Sequence, residues 1–525
     1  MTEERDRRNV ERGEGGLTRA ELLKRAAVGG AMLSSGPLLA ACGGKGGGGA
    51  STSATPKKGG VFRIGIPGGS AKDFIDGEHI VAKTDIARLV AGFESLSRFD
   101  ESYKPVMDGL AEEITADKAD QWTIRLRDGI EFHNGKTVTA DDVIYSLTRT
   151  LNPKLGLFGR GSFGALDPKG MKKLDNRTVR LNLTRPDVTL LDAFSQYYQG
   201  VVPEGYSPDG LGKGPLRYIG TGAFKVKSFT PGQQSVHVRN ENYWRTGQPH
   251  FDEVHIIDFP DDTARVNALL GGQIDAAVDV PSGSVPLVKG RSNLVIYESQ
   301  TGAWDPISMA VDQAPFTDPR VRQAFRLIVD RNQMVAQALA GHGRIANDIY
   351  SPFDLCYAGD EFPQREQDIE HAKSLLKAAG QDSMSIELLT TPADGGMVEG
   401  AQVFAQNAKA AGVNVKVRNL SDFYGDQYLK YTFSVDYWGT RNYLAQVAAG
   451  SLPTSAFNES HWNDPQFNQL NSQALGTVDQ NQRCQIIKEM HLVDGHSSKL
   501  AGLKADRGTL NLNKYGNGYR TIYFV

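Results

Sequence analysis

The 525-residue chain is poor in several features that would narrow its chemistry. It has three cysteines, Cys42, Cys356 and Cys484. In an exported protein the last two could pair, but nothing in the sequence brings their Cα atoms within the roughly 7 Å a disulfide needs. Charge of one sign is not in excess: 58 Lys and Arg face 61 Asp and Glu, a net −3. That balance gives no electrostatic reason to expect a nucleic-acid partner. No apolar run after residue 42 approaches the roughly 18 residues that span a bilayer. His491 and His496 stand five apart, and His461 lies far from any Cys or Glu at metal-ligand spacing, so no metal site is expected. There is no Gly-x-Ser-x-Gly elbow, and no glycine loop ends in Gly-Lys-Ser/Thr. Neither a cofactor nor an enzymatic activity is expected.

What is present starts with an address. Arg19, Lys24 and Arg25 precede the sixteen uncharged residues Ala26–Ala41, a basic then apolar order that reads as an export signal over residues 1–41. Leu39-Ala40-Ala41-Cys42 resembles the bacterial lipobox, which implies that Cys42 is acylated and anchors the chain to the membrane. Arg19 has Ala20 where a twin-arginine signal carries a second Arg, so the export route stays open. Residues 42–58 are dominated by Gly, Ser, Thr and Lys, bury almost no apolar surface, and read as a flexible tether.

From Gly59 the chain reads as mixed α and β. Val61–Ile66 alternates as a first strand and ends in Pro67-Gly68-Gly69-Ser70. Trp122–Arg127 alternates as a strand, Asp128-Gly129 supplies a turn, and Ile130 and Phe132 resume the alternation as the second arm of a hairpin. Thr139, with Asp142 three residues on, then reads as a helix start before Val143, Ile144 and Leu147. Asp318-Pro319 opens another helix, with Val321, Ala324, Phe325 and Ile328 on one face. Ile369–Gly380 is a third, closed by a C′ glycine. Ser385–Thr390, a helix near 398–411, and Val413–Val417 form a βαβ unit.

Several of these stretches carry an ordered set of signatures. Trp122-x-x-x-Leu126-Arg127-x-Gly129-x-x-Phe132-His133-x-Gly135-x-x-x-x-Ala140-x-Asp142-Val143 resembles the signature of the family 5 extracellular solute-binding proteins, the peptide/nickel-type receptors of ABC importers. Gly220-Thr221-Gly222, Arg239-Asn240-x-x-Tyr243-Trp244, Gly272-x-Ile274-Asp275 and Pro315-Phe316-x-Asp318-x-x-Val321-Arg322-x-Ala324 follow in the family's order. The resemblance implies an α/β (mixed α+β) two-lobe periplasmic-binding-protein-like fold of the class II type, with an extra subdomain in the first lobe. Residues 59–92, 216–308 and about 500–525 would form the first-lobe core, 93–215 the subdomain and 309–499 the second lobe. His133 would be structural.

The resemblance also implies a function: capture of a small solute or peptide between the lobes by a monomer, hinge closure, and delivery to an ABC permease with its ATPases. An exported hydrolase acting on envelope material and a sensing module without a permease are the rival readings. Candidate ligand contacts are Ser70, whose loop follows the first strand, then Trp304 and Asp305, and the aromatic stretch Tyr437, Trp438, Gly439, Thr440, Arg441 and Asn442. In peptide-binding relatives an Asp that pairs with the peptide amine stands where this chain has Arg441. A guanidinium repels an ammonium and grips a carboxylate or phosphate. An anionic or neutral polar ligand, or a peptide held by its carboxylate, is expected, and Asp436 could still serve an amine.

Overall fold

A computed structural model describes residues 57–80, 82–206, 214–493 and 509–514, so the export signal, Cys42 and most of the tether lie outside the described residues. Residues 56–525 form one compact unit. It is built on three main sheets.

The first lobe is organised on a five-stranded sheet. Strand Val61–Pro67 runs parallel to Glu253–Phe259 and to Ala276–Ala277, and Gln234–Arg239 and Phe224–Thr230 extend it antiparallel. Ile64, Ile66, Val254 and Ile256 supply its buried face. Helix Lys83–Gly92 covers the sheet and drives Arg88 beneath it, where the guanidinium meets both oxygens of Asp258 at 2.5 and 2.6 Å. Removing one partner of such a buried pair strands a charge and costs about 3–5 kcal/mol.

The subdomain is a four-stranded antiparallel sheet in the order Ala111–Lys118, Gln121–Leu126, Thr178–Leu183, Leu166–Lys173. Trp122, Ile124 and Leu126 point into its core as the alternation predicts. The hairpin itself differs from expectation. Gln121–Leu126 pairs with the strand before it and with Thr178–Leu183, so both its edges are taken before Ile130 is reached. Ile130 and Phe132 instead bury themselves in a loop closed by a single bridge from Glu131 to Thr137. Helix Ala140–Leu151 starts as predicted, with the Thr139 backbone N–H donating to Asp142 Oδ2 at 2.9 Å.

The signature residues now acquire physical roles. Glu94 accepts from Thr221 Oγ1, Tyr243 Oη and Trp244 Nε1 at 3.0, 2.8 and 2.9 Å, so two separate motifs converge on one largely buried carboxylate. Burial pushes that carboxyl up, and the three donors pull it back. Gly220 and Gly222 permit close backbone approach: a Cβ on Gly220 would sit 2.1 Å from the carbonyl oxygen of Gly92. His133 donates from Nε2 to Gly222 O at 2.9 Å while Nδ1 accepts from Gly220 N at 3.4 Å, which fixes the neutral tautomer. Burial lowers its pKa to about 4.

The second lobe is a six-stranded sheet in the order Gly343–Arg344, Thr509–Lys514, Trp304–Met309, Phe433–Val435, Ser385–Thr390, Asn414–Asn419. The βαβ unit is as expected: Ser385–Thr390 and Asn414–Asn419 pair in parallel around helix Met397–Ala410. Helices Pro319–Ile328 and Ile369–Ala378 pack on the same core, capped by Asp318 and Asp368. Two strands fall in a different lobe from the one expected. Trp304–Met309 pairs antiparallel with Thr509–Lys514 on one edge and Phe433–Val435 on the other, so both belong to the second-lobe sheet. Of the segment at about 500–525 expected in the first lobe, only Thr509–Lys514 lies within the described residues. Cys356 and Cys484 form a disulfide, with Cα atoms 4.6 Å apart. Among the described residues no helix is long and apolar enough to cross a membrane.

Candidate ligand-binding cleft

Between the lobes lies a cavity of about 300 Å³, at the lower end of the range for small-molecule sites. One wall comes from the first lobe: Ile80, Ile86, Tyr103, Phe158 and Tyr197-Tyr198. The other comes from the second: Tyr424, Tyr428, Asp436 through Arg441, and Phe457. Half of the lining side chains are aromatic, and the charged ones are Asp436 and Arg441.

The strand Phe433–Val435 places the key stretch. As it ends, Asp436 N donates to Pro306 O at 3.1 Å, and Trp438 exchanges two backbone hydrogen bonds with Trp304. That register turns residues 437–441 across the mouth of the cleft. Trp438 is clamped from behind by Trp304, whose ring lies parallel at 6.3 Å, and its indole N–H donates to Glu459 Oε1 at 2.7 Å. The Arg441 guanidinium sits 5.1 Å over the Trp438 ring, a contact worth about 0.5–1 kcal/mol where exposed and more when desolvated.

The Asp436 carboxylate is 2% exposed. Tyr424 and Tyr428 donate their hydroxyls to Oδ1 and Oδ2 at 2.8 and 2.7 Å, and Tyr437 N donates to Oδ1 at 2.8 Å. Burial raises its pKa, and those three donors oppose the rise. Burial and the nearby carboxylate charges, Asp436's among them, push both tyrosine hydroxyls well above their ordinary range, so they stay protonated.

The same stretch joins the lobes. Tyr103 Oη donates to Thr440 O at 2.6 Å, and Asn442 Nδ2 donates to Asp192 Oδ1 at 3.0 Å. Thr440 Oγ1 accepts from Gly302 N at 3.0 Å. Asp192 is partly buried near Asp354, and its pKa rises to about 7, chiefly through desolvation.

Of the residues singled out in the sequence, Tyr437, Trp438, Gly439, Thr440 and Arg441 line the cavity. Four do not. Trp304 is 3% exposed, stacked between Tyr350 and Trp438, so it supports the wall without reaching the space. Asp305 is fully buried with its carboxylate against Gly396, the residue before helix Met397–Ala410, where a helix N-terminus favours negative charge. Ser70 is exposed, and its hydroxyl accepts from Lys72 N within its own loop. Asn442 precedes helix Tyr443–Gly450 and is spent on Asp192. Tyr424, Tyr428 and Phe457 escaped the sequence reading. The one available signal was the aromatic density of residues 423–438, in which Phe423, Tyr424, Tyr428 and Tyr431 crowd into nine positions.

A sequence model described as bacterial extracellular solute-binding proteins, family 5 Middle, matches residues 106–458. Among curated proteins, the haem-binding protein A of Haemophilus influenzae is 24% identical over 76% of this chain and 79% of its own length. The dipeptide-binding protein of Escherichia coli K12 is 25% identical over 78% of this chain and 82% of its own. Among solved structures, the oligopeptide-binding protein AppA of Bacillus subtilis, in complex with a nonapeptide, superposes with a TM-score of 0.71. It is 21% identical and covers 88% of this chain and 94% of its own.

Proposed function

The chain belongs to the bacterial extracellular solute-binding proteins of family 5, and from that premise we propose which solute chemistry it takes and how it takes it. It is a substrate-binding protein of an ABC importer, not an enzyme. Its relatives are named for ligands as different as haem and a dipeptide, so the ligand class must be argued from this chain's own cavity.

The carrying observation is Arg441. It lines a cleft between two lobes, lies on Trp438, and among the described residues no carboxylate pairs with it. A guanidinium held on an aromatic face and facing a cavity is suited to bidentate capture of a carboxylate or phosphate. The ligand is accordingly a small polar solute bearing an anionic group, of a size set by a 300 Å³ space. Contact with both walls favours the closed arrangement, in which Tyr103–Thr440 and Asn442–Asp192 come together. Acylation at Cys42 would hold the monomer at the outer face of the membrane, with residues 43–58 as the tether, within reach of a permease.

A thermal-shift panel of dipeptides, sugar acids, sugars and metal chelates tests this. One anionic class should raise the melting temperature by several degrees, as binding to the native state requires, and Arg441→Gln should abolish the rise. A rise that survives Arg441→Gln would remove the guanidinium from the account.

A further inference from the structure

The end of the cavity away from Arg441 is built for a charge of the other sign. Four rings wall it in succession, each inclined to the next. Tyr437 and Tyr424 lie 6.5 Å apart at 87°, Tyr424 and Tyr428 5.1 Å apart at 71°, and Tyr428 and Phe457 6.4 Å apart at 47°. Trp438 continues the wall, 6.0 Å from Phe457 at 81°. Behind the rings stands Asp436. Among the described residues no Lys, Arg or His forms an ion pair with it; its partners are two phenols and one amide. A carboxylate buried on neutral donors alone lacks the counter-charge that would offset its desolvation.

We propose that this end of the cleft is an onium site: Tyr424, Tyr428, Tyr437 and Phe457 cage a methylated ammonium group backed by Asp436. The inference rests on the reading that the cleft binds a solute through Arg441, and it makes that solute a zwitterion. Hydrogen-bond accounting selects a methylated ammonium over a primary one. The Tyr424 and Tyr428 hydroxyl protons are already committed to Asp436, so those two phenols offer the cavity only oxygen lone pairs and ring surface. A primary ammonium brings three donors to a wall made mostly of rings, with the Asp436 oxygens already accepting from Tyr424, Tyr428 and the Tyr437 amide. A trimethylammonium group needs no acceptor and draws its stabilisation from ring quadrupoles and the carboxylate field. Trp438 separates the two poles, touching Phe457 on one side and carrying Arg441 over its ring. The cationic and anionic groups of the ligand therefore lie about one indole apart, on a short connecting chain.

The test is isothermal titration of the full-length chain with three probes of one length. They are 4-(trimethylammonio)butanoate, its uncharged-head isostere 5,5-dimethylhexanoate, and 4-aminobutanoate. The trimethylammonium compound should bind at least about tenfold more tightly than either of the others, the scale of a desolvated cation–π contact. Phe457→Leu, which keeps apolar volume and removes a ring, should weaken that compound several-fold more than it weakens the isostere. Asp436→Asn should do the same. Equal or tighter binding of the isostere would make this end merely apolar, and preference for 4-aminobutanoate would make it an acceptor site. Either result overturns the cage, as does failure of all three probes. If the thermal-shift panel still yields an anionic ligand lost on Arg441→Gln, only the onium site has failed; if it yields none, the receptor reading has failed with it.

Discussion

At the scale of single residues, the molecule separates groups that define its shape from groups that line the cleft. Gly220 is of the first kind, because the atom its missing Cβ would strike is a backbone oxygen, which cannot rotate away. Gly220→Ala should therefore cost about 1–3 kcal/mol, the scale of overpacking, read as a lower urea midpoint with an unchanged slope. An unchanged midpoint would mean the Gly92 segment can yield. Arg441, Asp436 and the tyrosines are of the second kind. Arg441 stood out in the sequence because it occupies the place where peptide-binding relatives carry an amine-pairing Asp, and the structure puts it on the cleft wall. The sequence hid Tyr424 and Tyr428, because nothing in their spacing says that both hydroxyls meet at one carboxylate twelve and eight residues away. Trp304 and Asp305 misled for the opposite reason. They have the chemistry of a binding site, but backbone pairing of Trp304 with Trp438 and Asn513, and of Asp305 with Leu512, fixes them behind the cleft wall.

At the scale of elements, local pattern was a good guide wherever a segment's own periodicity and caps decided its form. Helices Pro319–Ile328 and Ile369–Ala378 start at their aspartate caps, and the βαβ unit forms in parallel register as its spacing predicts. Pairing partners were less legible. Trp122–Arg127 carries a strand pattern, but whether it pairs forward or backward depends on Ala111–Lys118 and Thr178–Leu183, which are remote from the turn. The disulfide was equally hidden, since 128 residues separate its cysteines. It staples residue 356 to helix Gln480–His491. Its loss in a Cys356→Ser, Cys484→Ser double variant should cost about 2–4 kcal/mol, measured as a fall in thermal midpoint that reductant reproduces in the wild type. No fall in either would make the bond dispensable.

The contact between Asn442 and helix Leu190–Phe194 adds a pH dependence at the same scale. Asp192 is pushed up to about 7 by burial and by Asp354, while Asn442 and Arg483 pull it down. Its folded pKa lies above the ordinary carboxylate value. The stability it contributes is therefore complete below about pH 4 and is lost as pH rises through about 7. Glu78, also raised to about 7, acts with the same sign, so the informative quantity is the difference between wild type and Asp192→Asn. That variant should gain in relative melting temperature steadily from pH 4 to 8. A difference independent of pH would place the ionisation of Asp192 outside the folding equilibrium.

At the scale of the whole molecule, the proposed function makes the fold a means of turning solute contact into a change of shape. The first-lobe wall of the cleft comes from Ile80, Ile86, Tyr103, Phe158 and Tyr197-Tyr198, outside the five-stranded sheet, and the second-lobe wall from loops that follow and flank strand Phe433–Val435 of the six-stranded sheet. The stretch 436–442 serves both purposes at once. Its side chains line the space, and its backbone and Asn442 receive the first lobe. On the proposed reading, a ligand held by Arg441 would bear on the same loop that contacts Tyr103 and Asp192, so that binding and closure would share one lever. This architecture was legible from the ordered signatures. The membership of Trp304–Met309 was not, because which sheet a strand joins is decided by edges supplied more than a hundred residues later.

The most direct measurement of that coupling is small-angle X-ray scattering on the full chain, with and without the solute that the thermal-shift panel selects. The account predicts a smaller radius of gyration when the solute is added to wild type and no change for Arg441→Gln. An unchanged radius in a wild-type chain saturated with that solute would contradict capture by closure.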